Sequence, residues 1–268
     1  MDPSDSKTFL PKYQRYWDNR MIIIKSEHEI EIMRKSGRVT GTILKELEDF
    51  IKPGISTKSI DKHVAEIIRE NGMEAPFKGY NGYPASVCTS INEEVVHGIP
   101  SAGRIIKEGD IISVDVGCTY KGYVTDAART YPVGEINPEA QKIIDAAKDS
   151  FFEGLEFCKE GHRLSDISNA IQTKAEGEGF SVIRDLVGHG VGRKMHEEPQ
   201  IPNYGAAGRG PRIARGMVFA IEPMIAQGTY EVITGEDNWT ISTADGKLSA
   251  HYENTVVITG GEPELLTL

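Results

Sequence analysis

Cysteine is scarce in this chain: Cys88, Cys118 and Cys158 are the only three in 268 residues. An odd, sparse set without a CxxC pair excludes a disulfide framework and a thiolate zinc site, and it fits a reducing compartment. Long apolar runs are also missing. Nothing approaches the roughly 20 residues needed to cross a bilayer, and the cluster Met21 to Ile24 is too short for the core of a secretion signal. Nor is there an excess of basic residues. The 30 Lys and Arg against 40 Asp and Glu leave a net charge of -10, the wrong sign for a general nucleic-acid binder. The expectation is a cytoplasmic protein with no membrane partner and no specific nucleic acid.

What remains is ordinary globular composition, 39% hydrophobic and 26% charged, in a length that suits one domain. Residues 1–20 stand apart, polar and Pro-containing at first, then carrying Phe9, Tyr13, Tyr16 and Trp17 without a period. They read as a short N-terminal extension that docks by its aromatics, with the domain proper spanning 21–268. Ser26 and Glu29 make a capping box, and Ile30, Met33, Gly37, Leu44 and Leu47 fall on one helical face. Pro53-Gly54 ends that helix. A second carries Ile60, Val64, Ile67 and Ile68 and stops at Asn71-Gly72. Two more are expected near 138–158, opened by Asn137 and Pro138, and near 165–176.

The chain also resembles itself. Displaced by 107 positions, Lys52 meets Lys159, Gly54 meets Gly161, Ile60 meets Ile167, Gly72 meets Gly179, Gly109 meets Gly216 and Asp115 meets Glu222. Shared helix–turn–helix composition would explain part of this match. The sharper reading is two similar α+β halves related by a pseudo-two-fold, each offering carboxylates to a central site.

Four carboxylates and a histidine stand out. Asp110 to Thr130 reads as a hairpin turning at Lys121-Gly122. Facing residues then have numbers of odd sum, which puts Asp115 and Asp126 on one face and Val114 and Val116 on the other. Two carboxylates side by side repel unless a cation sits between them; the alternative is two solvated aspartates. His189 lies in GHGVG, where glycine permits positive φ or close approach to a ligand. His196 follows in MHEEP, which is not an HExxH zincin because Gln200 stands where the second histidine would be. Glu222 lies in the apolar run VFAIEP, a costly place for an unpaired carboxylate. In SAHYENTVVI, alternation puts His251, Glu253 and Thr255 on one strand face. Together Asp115, Asp126, His189, Glu222 and Glu253 balance two divalent cations of the Mn, Fe, Co or Zn type.

The motifs NEEVVHGIP, SVDVG, YVTDAART, GHGVGRKMHEEP, AIEPM and HYENTVV resemble those of the type I, bacterial-type methionine aminopeptidases, in order and spacing from Met21 onward. The resemblance implies the α+β pita-bread fold, two halves around a central antiparallel sheet. It implies that Asp126 and Glu253 bridge two metals, that His189 and Glu222 complete one and Asp115 the other, and that Glu222 shuttles a proton. His97 and His196 would hold the substrate and stabilise developing charge. Phe77, Tyr80, Tyr83, Cys88 and Trp239, with Met195, would form the methionine pocket; a smaller residue is common at position 77 in the family. Asn92 and Ser249 match positions near a monovalent-cation site. The implied partners are nascent polypeptide N-termini, with the ribosome a further candidate, acted on by a monomer.

The nearest rival is an X-Pro aminopeptidase or prolidase, which shares the five ligands but usually carries an additional N-terminal domain. A metal-free creatinase-like relative would have lost ligands. A pita-bread binding protein would have lost ligands and gained basic surface. A nucleic-acid enzyme with a carboxylate pair is the outside alternative.

Overall fold

The computed structural model describes residues 21–268; the expected extension over 1–20 lies outside them. Helix α1 (Glu27–Phe50) starts at the capping box, where Ser26 N–H donates to the Glu29 carboxylate at 2.8 Å and Glu29 N–H to Ser26 Oγ. Its expected face is buried throughout. Helix α2 (Thr57–Glu70) follows, and then strands β1 (Val87–Ile91), β2 (Glu94–Val96), β3 (Ile111–Tyr120) and β4 (Tyr123–Pro132). Lys121 and Gly122 both adopt positive φ (48° and 77°) in the two-residue turn between β3 and β4, as a primed hairpin turn requires.

The second half repeats this plan with α3 (Pro138–Leu155), α4 (Leu164–Gly177), β5 (Ser181–Val182), β6 (Val187–Gly190), β7 (Glu197–Pro202), β8 (Val218–Ile221) and β9 (Met224–Ala226). It continues through β10 (Val232–Thr234), β11 (Ile241–Thr243), β12 (Ser249–His251), β13 (Asn254–Val257) and β14 (Glu264–Leu265). The duplication is now geometric. α2 and α4 have the same length and begin and end at the displaced positions. Gly54 and Gly161 share a left-handed φ (93° and 96°), as do Gly109 and Gly216 (88° and 85°). The order β1-β3-β4 is matched by β6-β8-β13 within the sheet β14-β13-β8-β6-β7.

Each half has its own core. α1 and α2 pack on Ile112, Val114 and Val116 of β3, and α3 and α4 pack on Phe219, Ile221, Ile225 and Val256. Burying each such side chain fully contributes about 1.5–3 kcal/mol, which fixes which face of each hairpin is left for the site. The halves meet where β4 and β13 touch. Ala128 and Glu253 exchange both backbone hydrogen bonds (3.0 and 3.4 Å), and Thr255 Oγ1 accepts from Asp126 N–H (2.9 Å) and donates to its carbonyl (2.8 Å). The two sheets thus join at the residues that carry the carboxylates, in the expected pita-bread arrangement.

One expectation is corrected. His251 to Thr255 is not one continuous strand. β12 pairs with β9 and β13 with β8, and the ladder opens where Glu222-Pro223 faces Tyr252-Glu253. Pro223 has no N–H to donate, and its carbonyl instead accepts from Tyr252 N–H at 3.2 Å.

Candidate metal centre

The register pairs Asp115 with Ala128 and Gly117 with Asp126. The two aspartates are therefore diagonal neighbours on one face, as parity predicts, and Val114 and Val116 point into the core. Gly117, opposite Asp126, lets neighbouring chain pack closely against the hairpin. A Cβ there would come within 2.8 Å of Pro76 Cγ and 3.0 Å of the Thr125 carbonyl. Glu222 and Glu253 enter from the opened ladder of the second half.

His189 is carried by β6. Its Nδ1–H donates to the Gly190 carbonyl at 2.9 Å, which leaves Nε2 as the lone-pair nitrogen, 3.5 Å from Glu222 Oε1. The flanking glycines serve a different purpose from the expected one. Neither Gly188 nor Gly190 has positive φ. They allow neighbouring backbone to approach: a Cβ on Gly188 would lie 2.6 Å from the Ala220 carbonyl, and one on Gly190 would run into the Glu198 carbonyl.

The electrostatics are those of a site short of positive charge. Burial, then mutual repulsion, pushes Asp115, Glu222 and Glu253 well above the usual carboxylate range. Burial likewise raises Asp126 to about 6. Burial lowers all four nearby histidines, His189 and His251 to about 3. Asp115 Oδ1, Asp126 Oδ1 and Glu253 Oε1 are buried with no hydrogen-bond partner. Orphaned carboxylate oxygens crowded around one space are what divalent cations satisfy, so the residues fit such ions. The ligand atoms of Asp126, His189 and Glu253 lie within 4.8 Å of one another, and so do those of Asp115, His251 and Glu253.

The expected metal, catalytic and pocket residues line one cavity of about 440 Å³, whereas Asn92 and Ser249 lie outside its lining. Asp115, Asp126, His189, Glu222 and Glu253 form its floor. His97 and His196 stand beside them. His196 Nδ1 is 2.8 Å from the Tyr80 hydroxyl, and its ring centroid is 4.3 Å from that of His189. His97 holds a left-handed φ of 62°, a strained conformation for a non-glycine residue that is typical of functional positions. Phe77, Tyr80, Tyr83, Cys88, Met195 and Trp239 form the wall. Trp239 stacks edge-on with Tyr83 at 5.1 Å and with His97 at 6.4 Å. The bulky Phe77 fits, buried within the cluster that also holds Tyr83, Cys88 and Met195.

The side chains of Asn92 and Ser249 are engaged by protein. Asn92 bonds Asp110 Oδ1 and Ile111 N–H through its amide, Ser249 Oγ donates to the Ile225 carbonyl, and Ser249 N–H donates to the Asn92 carbonyl. The residue that sequence reasoning passed over is His251, at the floor beside Glu253. Its signal was available in the alternation that put His251 and Glu253 on one face. Asp185, Leu186 and Met224 also line the cavity without having been expected there.

Comparison with known proteins agrees with this geometry. The sequence profile of metallopeptidase family M24 matches residues 31–260. A methionine aminopeptidase of Clostridium acetobutylicum is 54% identical over 248 residues, covering 92% of this chain and 99% of that one. The crystal structure of methionine aminopeptidase from Thermotoga maritima superposes with a TM-score of 0.91 at 45% identity, covering 92% and 99%. Prolidase from Pyrococcus furiosus, 24% identical, shares the fold with a TM-score of 0.72, and its match spans 92% of this chain but 65% of the prolidase.

Proposed function

Because the chain belongs to metallopeptidase family M24, we propose that it is a cytoplasmic methionyl aminopeptidase that removes the first methionine from nascent polypeptides, with a small second residue preferred. The observation that carries this reading is the single cavity in which four carboxylates and an imidazole, drawn from both halves, face a wall of aromatic and sulfur-bearing side chains. Asp115, Asp126, His189, Glu222 and Glu253 would hold the ions, with Asp126 and Glu253 shared between them; the place of Glu253 in both groups of candidate ligands supports its role at the centre of the site. Divalent ions at such a centre polarise the peptide carbonyl and make a nucleophile of water at neutral pH.

The chain's own residues do the rest. Glu222, which lines the cavity beside His189 with its Oε1 3.5 Å from Nε2, would take the proton released by the attacking water and pass it to the leaving amine. His196, set by Tyr80 at 2.8 Å, and His97, fixed in its strained turn, direct ring N–H groups at the carbonyl oxygen as charge develops on it. Tyr83, Trp239, Cys88 and Met195 receive the thioether side chain, since aromatic and sulfur atoms suit sulfur. The substrate's free α-amine would bind near the ion next to Asp115, which restricts cleavage to chain ends.

The test is hydrolysis of Met-Ala-Ser, Leu-Ala-Ser and Ala-Pro-Ala by metal-stripped protein with Mn²⁺, Co²⁺ or Fe²⁺ restored. The expected result is metal-dependent methionine release, with leucine poorly accepted. Preferential cleavage of Ala-Pro-Ala would assign the chain to the X-Pro group, and no cleavage by folded, loaded protein would favour a binding role.

A further inference from the structure

His251 lies at the floor of the cavity without a hydrogen bond to its ring. Its side chain is buried, and neither Nδ1 nor Nε2 makes a hydrogen bond. Buried polar groups are nearly always satisfied, and a packing histidine would have at least one nitrogen bonded. The nearest cation does not serve it. Arg129 is committed to the Ala128 and Glu253 carbonyls and to Asn254 Oδ1, and its guanidinium lies over the Tyr252 ring.

The ring is also held in place. His251 N–H donates to Thr130 Oγ1 at 2.9 Å and its carbonyl accepts from the same hydroxyl at 3.0 Å, while β12 pairs it with Met224. This backbone clamp positions the ring, as the Gly190 carbonyl positions that of His189. His251 Nε2 lies 3.6 Å from Glu253 Oε2. Two atoms bound to one ion at about 2.0–2.2 Å each stand roughly 3–4 Å apart, so the spacing is that of ligands around a shared ion.

We propose that His251 is itself a metal ligand, supplying an imidazole nitrogen to the ion held by Asp115 and Glu253, so that each half of the dinuclear centre has one histidine. The reading rests on the dinuclear centre proposed above. It predicts a coordination sphere with more nitrogen than the five-residue set alone provides, which shifts preference toward Fe, Co and Zn and away from Mg.

The test uses the full-length protein, stripped with a chelator and titrated with Co²⁺ by calorimetry, with X-ray absorption of the loaded protein counting imidazoles. The wild type should bind two ions with an average of one imidazole per ion. His251→Gln should keep one site at wild-type affinity, weaken the other by at least about tenfold, and halve the imidazole count. His251→Leu, with no ligand atom, is the second variant, and thermal unfolding of the metal-free proteins verifies that each is folded. Unchanged affinity and an unchanged imidazole count in a folded variant would overturn the assignment. A wild type that binds fewer than two ions would instead overturn the dinuclear reading beneath it.

Discussion

The two halves share a plan but deliver their carboxylates differently. In the first, Asp115 and Asp126 stand on an uninterrupted hairpin of two ten-residue strands with a two-residue turn. In the second, the ladder breaks at Glu222-Pro223 and Tyr252-Glu253, and residues 228–248 intervene, carrying β10, β11 and Trp239. A regular strand pair puts short aspartates side by side at fixed spacing. The opened pair sets its carboxylates back and uses the longer glutamate to reach the same space. It also admits His251 to the floor, and the intervening stretch brings the tryptophan of the pocket. The duplicated scaffold thus supplies carboxylates to the cavity floor from both sides, while the departures from symmetry bring His251 and Trp239 to its lining.

The comparison can be broken most severely at the shared carboxylates. Asp126→Asn and Glu253→Gln should each reduce kcat/KM by more than about 10³-fold, well beyond the 10–100-fold typical of an outer partner, and by similar amounts, because in the proposed centre each would hold both ions. Steady-state kinetics at limiting metal checks this; a large effect of one and a small effect of the other would break the pairing of the halves.

Next come the histidines. His97→Ala and His196→Ala should each lower kcat by about 10²–10³-fold while leaving metal affinity intact, which calorimetry alongside turnover will read. The titration of the floor gives a third effect. Burial raises the floor carboxylates and lowers the histidines, so metal competes with protons chiefly at the carboxylates. Affinity should therefore rise with pH, about tenfold per pH unit for each proton released, with the share owed to Asp126 levelling off above about 6. Calorimetry in two buffers of different ionisation heat counts those protons.

Smaller effects sharpen the comparison. Tyr80→Ala should lower kcat/KM for methionyl peptides by about tenfold, the size of one pocket contact. At the symmetric turns, Gly54→Ala and Gly161→Ala should each cost roughly 1 kcal/mol, because both require left-handed φ with open space around them. Chemical denaturation should return near-equal losses if the two turns are equivalent.

Much of this was legible in the sequence because it is local. The capping box at Ser26, the proline start at Pro138 and the matched glycines set helix bounds through nearest-neighbour chemistry. The parity argument for Asp115 and Asp126 worked because a two-residue turn leaves no freedom in register. The rest depends on partners far apart in the chain. Nothing near His251 announces that the ladder fails between 252 and 253, since that follows from Pro223 across the sheet. The glycines of GHGVG gave the right location for the wrong reason, because the Ala220 and Glu198 carbonyls that forbid a side chain there are fixed only by the fold.

The central claim is that two halves build one dinuclear centre. Its most direct test is a crystal structure of the protein loaded with Mn²⁺ or Co²⁺, with the ions located by anomalous scattering. The account predicts two peaks roughly 3.5–4 Å apart, both within bonding distance of Asp126 and Glu253. A single peak, or ions held away from either of those residues, would contradict it.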